Sequence, residues 1–110
     1  MSGHQIEKLQ EEIKRALGEI IEFRARDPRI GFVAVTAVKL SSDLRHATIF
    51  LDFLDEGQKE ELLRLCERDR GFFRSELAKE LDLRYTPELH FREDEALRRA
   101  RRIDELLRED

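Results

Sequence analysis

Apolar positions recur in steps of three and four from the start of the chain: Ile6, Leu9, Ile13, Ala16, Leu17, Ile20 and Ile21. That spacing lays one stripe along a helix of about five turns. Asp27-Pro28 stops it, because a residue before proline is pushed away from helical backbone angles. From Gly31 to Leu40 the pattern changes. This run is rich in β-branched residues and too short for a buried helix, so it predicts a strand. Ser41-Ser42-Asp43 is turn chemistry. A second strand follows from His46 to Leu54, with Ala47, Ile49, Leu51 and Phe53 on one face and Thr48, Phe50 and Asp52 on the other. The two runs predict an antiparallel hairpin.

Asp55-Glu56-Gly57 breaks the alternation. A short helix then carries Leu62, Leu63, Leu65 and Cys66, and a further one carries Phe72, Phe73, Leu77 and Leu81. Glycine weakens a helix interior, so two helices with a kink at Gly71 are expected rather than one straight rod. Asp69 is placed to cap the second piece. Tyr85-Thr86-Pro87 ends that helix, Glu88 to Arg92 alternates as a third strand, and Asp94 opens a last helix with Leu97, Ala100, Ile103, Leu106 and Leu107. The order helix, strand, strand, helix, helix, strand, helix predicts an α+β fold, three strands with helices over one face. One domain is expected over residues 1–110, with a core at about 6–93 and a C-terminal helix at about 94–108.

Composition narrows the class. Of 110 residues, 40% are hydrophobic, enough for one modest core, and 42% are charged, well above the roughly 25% of an average domain. The single cysteine, Cys66, excludes an internal disulfide framework and a cysteine-based zinc site. It falls in an apolar helical pattern, which predicts a buried structural thiol. No apolar run approaches the roughly 20 residues of a membrane span, and the N-terminus enters an amphipathic helix without a signal-peptide core. A cytoplasmic protein is expected.

Net charge is -4, which opposes nucleic-acid binding as a sum. The charges are segregated, however. Lys14, Arg15, Arg24, Arg26 and Arg29 crowd one stretch, while Asp55, Glu56, Glu60, Glu61 and Glu67 crowd another. Arg98, Arg99, Arg101 and Arg102 form a third block. A basic face is compatible with an acidic total.

No catalytic constellation emerges. His4, His46 and His90 lack the i, i+4 spacing of a helical zinc site. Ser41, Ser42 and Ser75 accompany no motif, and Gly31 and Gly71 are isolated rather than part of a phosphate loop. No metal, no cofactor and no enzymatic activity are expected. The strongest remaining feature is the junction around Gly71. A helix N-terminus there suits phosphate, and Arg68, Arg70, Arg74 and Lys79 surround it. Those cations also stand at pairing distance from Glu67, Glu76 and Glu80. Arg24, Arg26 and Arg29 around Pro28 have fewer helical partners.

The topology resembles the type II KH-like fold, an RNA-binding module. Asp27 to Val33, followed by Val38 to Ala47, resembles the hairpin signature of bacterial ribosome-binding factor A. So do Gly71 to Leu81, Thr86 to Phe91 and Arg102 to Leu107. The resemblance runs from about Ile6 to Leu107. It implies a non-catalytic factor that associates as a monomer with free 30S subunits and 16S rRNA. It further implies help in late maturation and 5′-end processing, support of growth in the cold, and release by GTPase assembly factors. The motif match and the charge segregation together point to RNA-binding residues Arg68, Arg70, Gly71, Arg74 and Lys79 at the kink, with Arg24, Arg26, Arg29 and Arg45 extending the contact. KH domains carry a GxxG loop, which this family replaces by an Ala-x-Gly kink. Here the equivalent is Asp69-Arg70-Gly71, so a carboxylate stands beside the expected phosphate path. Asp69 then either caps the helix or pairs with a neighbouring arginine. The rival readings are a protein-interaction domain using the acidic helix 57–67 or the hairpin edge, and a nuclease.

Overall fold

The computed structural model describes residues 2–108. Helix α1 spans Gly3–Arg24 and opens on a reciprocal cap: Ser2 Oγ accepts from the Gln5 amide, and Gln5 Oε1 accepts from the Ser2 amide. Its stripe is buried at Ile13, Leu17, Ile20 and Ile21. The helix ends sooner than Asp27-Pro28. Ala25 is already extended, and Pro28 instead starts a 3-10 turn, Pro28–Phe32. Asp27 caps that turn by accepting from the Arg29 amide at 3.0 Å. Proline at the first position of a helical turn loses no hydrogen bond. The turn takes in Gly31 and Phe32, so strand β1 is Val33–Leu40 rather than starting at Gly31.

Strand β2, His46–Phe53, pairs antiparallel with β1, and β3, Glu88–Glu93, pairs parallel with β2, giving the order β1-β2-β3. Register slips between Val35 and Ala37. Strict alternation would turn either Val33 and Val35 or Val38 and Leu40 outward. The extra residue, Thr36, lets both pairs face the core, as a β-bulge does.

From β2 the chain passes through a 3-10 turn, Glu56–Gln58, into α2, Lys59–Arg68, and α3, Arg70–Glu80. The break lies at Asp69 (φ -95°, ψ 15°), not at Gly71, which is an ordinary helical residue in the first turn of α3. Helix α3 also stops at Glu80, and residues 81–87 form the connection to β3. Leu62, Leu65, Cys66, Phe73 and Leu77 press onto the sheet face that α1 also covers, with Phe73 edge-on to Phe91. No polar or charged residue is buried among the described residues.

Helix α4, Glu95–Arg108, leaves the domain in an unexpected way. Its attachment is polar: Arg98 reaches Glu93 and Glu56, and Arg101 pairs with Asp52 on the sheet face opposite the core. Leu97 is half-buried, but Ala100, Ile103, Leu106 and Leu107 are exposed. The anchor is Asp94. One carboxylate oxygen accepts from the Leu97 amide at 3.0 Å, and the other accepts from Thr36 Oγ1 at 2.6 Å. An N-cap of this kind contributes about 1 kcal/mol. Replacing Asp94 by Ala is therefore expected to speed amide hydrogen exchange within residues 95–108 while leaving α1 and β2 protected. Equal acceleration in the core would show that α4 is integral to it.

Candidate RNA-binding surface

The α2–α3 junction lies against the 3-10 turn after α1, and this contact gathers two groups of arginines that are distant in sequence. Asp27 is the hub. It accepts from Arg29 Nε and Nη2 at 3.0 and 2.7 Å, and Arg68 lies 3.6 Å away. Arg68 also grips Asp69 with two 2.9 Å bonds. Asp69 therefore makes no side-chain cap to α3, because its carboxylate is turned to its neighbour instead. Arg29 extends to Glu61 at 3.6 Å, and Glu61 holds Arg64 through two bonds. Arg70 pairs with Glu67 at 2.8 Å, and the Arg26 guanidinium lies 4.6 Å over the Phe72 ring.

Exposure sorts these charges into layers. The Asp27 and Asp69 side chains are only 13% and 14% exposed, whereas those of Arg29 and Arg68 are 55% and 48% exposed. Asp27 and Asp69 lie beneath and orient the planar guanidinium groups of Arg29 and Arg68 above them, while Glu61 and Glu67, 38% and 37% exposed, share the surface with Arg64 and Arg70. Hydrogen bonds from the Arg29 side chain and backbone hold Asp27 down at about 2. The Arg68 bonds also lower Asp69. Gly71 borders this layer, and a Cβ there would meet nothing within 4 Å. Internal packing therefore does not demand glycine at this position.

The other expected residues lie elsewhere. Arg24 pairs with Glu80, and Lys79 pairs with Glu76 at 3.0 Å, both near the C-terminal end of α3. Arg74 turns away from the junction and donates to the carbonyls of Thr86 and Pro87 at 2.7 and 3.2 Å. Arg45 sits in the β1–β2 turn, lining a cleft with Arg74. Arg64 and Phe72 join the surface although sequence reasoning passes over them. The Glu61-to-Arg64 spacing is a signal for the first, while the partner of the second is brought in by the fold.

Cys66 is fully buried, and burial pushes its thiol up to about 12, so it is no nucleophile near neutral pH. Parallel pairing of β2 with β3 brings His46 Nδ1 within 2.9 Å of His90 Nε2, one ring donating to the other. Among the described residues no cluster of three or more metal-ligating side chains exists. No helix in residues 2–108 is long and apolar enough to cross a membrane.

The Asp27 hub has a pH consequence. A carboxyl held below its unfolded value, about 3.9, contributes stability above that value and loses it as pH falls towards 2. Thermal unfolding between about pH 4 and 2 should depend less steeply on pH in Asp27→Asn than in the unaltered chain. Identical slopes would remove Asp27 as a titrating anchor.

Relatives agree with this architecture. Residues 5–107 match the family model described as ribosome-binding factor A. Ribosome-binding factor A of Natranaerobius thermophilus is 44% identical over 110 residues, covering 99% of this chain and 84% of that protein. The crystal structure of ribosome-binding factor A from Thermus thermophilus superposes with a TM-score of 0.71 at 31% identity, over 78% of this chain and 92% of that one. A homology model of the Thermus thermophilus factor, fitted into the cryo-electron-microscopy map of its complex with 30S, gives a TM-score of 0.67 at 30% identity, over 82% of this chain and 96% of that one. With nearly the whole length matched at this identity, the chain belongs to the ribosome-binding factor A family.

Proposed function

We propose that this chain is a non-catalytic assembly factor that docks on the free 30S subunit through 16S rRNA in the cytoplasm. It would act as a single-domain monomer over residues 1–110, assist late maturation and 5′-end processing, support growth in the cold, and leave with the help of GTPase assembly factors. The observation that supports the RNA contact is the arginine group at the junction: Arg29 and Arg68 held by Asp27 and Asp69, Arg70 paired with Glu67, and Arg26 over Phe72. The 30S complex of the Thermus thermophilus relative supports the choice of partner. Arg24, Arg45, Arg74 and Lys79 belong to a wider candidate surface, with Arg74 acting first as a brace for residues 86–87.

Asp69 fits this reading better than its charge suggests. Its carboxylate is covered and neutralised by Arg68, so phosphate approaching from outside meets arginine first. The rival reading, a protein partner, is favoured by one observation, the exposed Ile103, Leu106 and Leu107 of α4.

Phosphate contacts make affinity fall with salt, and removing one phosphate-binding cation flattens the log–log slope by about one. Arg70→Glu should weaken 30S binding and flatten that slope while thermal stability stays nearly unchanged. Gly71→Ala raises helix propensity by up to about 1 kcal/mol, so reduced binding in that variant reports close approach from outside rather than unfolding. Salt-independent binding by the unaltered chain would sink the electrostatic mechanism. Full binding by both variants would move the site away from the junction.

A further inference from the structure

Where β1 ends and β2 and β3 begin, the surface opens into a cleft of about 820 Å³. That lies within the roughly 300–1,000 Å³ of ligand sites. Its floor is apolar, formed by Leu9, Ile13 and Leu40. One wall is the β1–β2 turn and the other is the segment 82–87.

Both walls are fixed. In the turn, Asp43 Oδ1 accepts from Ser41 Oγ at 2.6 Å and from the Arg45 amide at 3.1 Å, and Ser41 Oγ accepts from the His46 amide. Leu44 has φ 62°, a left-handed conformation that leucine rarely adopts, and its side chain packs against the core as part of the lining. Strain of this kind persists only where the surrounding structure over-determines it. Arg74 holds the opposite wall through the Thr86 and Pro87 carbonyls, and the Glu88 amide joins the walls by donating to the Arg45 carbonyl at 2.8 Å.

The lining chemistry is mixed in an ordered way. Tyr85 stands at the rim, 76% exposed, with the Arg84 guanidinium 5.7 Å over its ring. Arg84 stacks on Tyr85, and Arg45, whose charge adds to the Ser41 hydrogen bond that holds Asp43 low, forms no direct ion pair among the described residues. Asp43 is occupied by the turn, leaving Asp82 and the partly engaged Glu88 as acceptors in the cleft. Carboxylates repel a phosphate but accept from the N–H groups of a base edge, and guanine offers two adjacent ones. An aromatic rim stacks a splayed base, and unpaired arginines suit the phosphates flanking it.

We infer that this cleft takes one unpaired guanine nucleotide of the bound RNA, stacked on Tyr85 with its base edge on Asp82 or Glu88 and its flanking phosphates on Arg45 and Arg84. The inference rests on the RNA-binding reading above and adds a base-selective contact at the end of the sheet, apart from the α2–α3 junction.

Tyr85 is the only tyrosine and the chain has no tryptophan, so intrinsic fluorescence reports on this cleft alone. Titration of the full chain with the RNA pentamer UUGUU should quench it saturably, at about tenfold lower concentration than UUUUU. Asp82→Asn should narrow that preference. Tyr85→Ala, at an exposed position, should fold normally and bind fluorescently labelled UUGUU at least several-fold more weakly, while Tyr85→Phe should retain binding. Equal quenching by both pentamers, or none, overturns the cleft. If 30S binding stays salt-dependent in that event, the RNA reading survives without it; loss of salt-dependent 30S binding in the unaltered chain removes that reading itself.

Discussion

Parallel pairing between β2 and β3 governs the arrangement of everything else. Antiparallel neighbours can be joined by a short turn, as β1 and β2 are, but parallel neighbours require a crossover that returns the chain to the same end of the sheet. Here the crossover contains α2 and α3. Both lie on the face already covered by α1, and Leu65, Cys66, Phe73 and Leu77 are buried there. The crossover has to reverse over that face, and its break at Asp69 falls against the turn that follows α1. The junction and the Pro28 loop are thus neighbours because of strand direction, and so are His46 and His90.

The same neighbourhood groups arginines on one surface of an acidic chain. Net charge counts every group equally, but a group's effect on an approaching ion depends on depth and on local pairing. Asp27 and Asp69 are shielded and act as sockets that fix guanidinium planes, while much of the remaining acid sits on α2 or on the solvated faces of α1 and α4. Fixing an arginine in advance reduces the side-chain freedom it loses when it meets an anion. The Asp69 carboxylate is, in this setting, part of the support of the arginines around it.

Much of the fold was legible in the sequence, for physical reasons. The α1 stripe and the alternation of β2 are periodic signals that burial reproduces residue by residue at Ile13, Leu17, Ala47, Ile49, Leu51 and Phe53. Three features were not legible. The β1 bulge is a property of pairing, invisible in one strand alone. The helix break falls at Asp69, whose carboxylate pairs with Arg68, where glycine propensity pointed to Gly71. The orientation of α4 is the third: it is attached through the Asp94 cap and ion pairs to Asp52, Glu56 and Glu93, with its apolar stripe left exposed. At the candidate surface, residue types were legible but their grouping was not. Arg26, Arg29, Arg68 and Arg70 converge, while Arg74 and Arg45 serve the far end of the sheet.

The bulge at Thr36 also bears on how copies of the chain behave towards one another. Strand β1 is an outer edge of the sheet, and an even outer strand offers a row of unsatisfied amides and carbonyls to any similar strand it meets. An extra residue bends and twists that edge and interrupts the row, and Lys39 adds a charge beside it. The residue that allows Val33 and Val38 to share one interior therefore also makes this edge a poorer template for pairing with another strand.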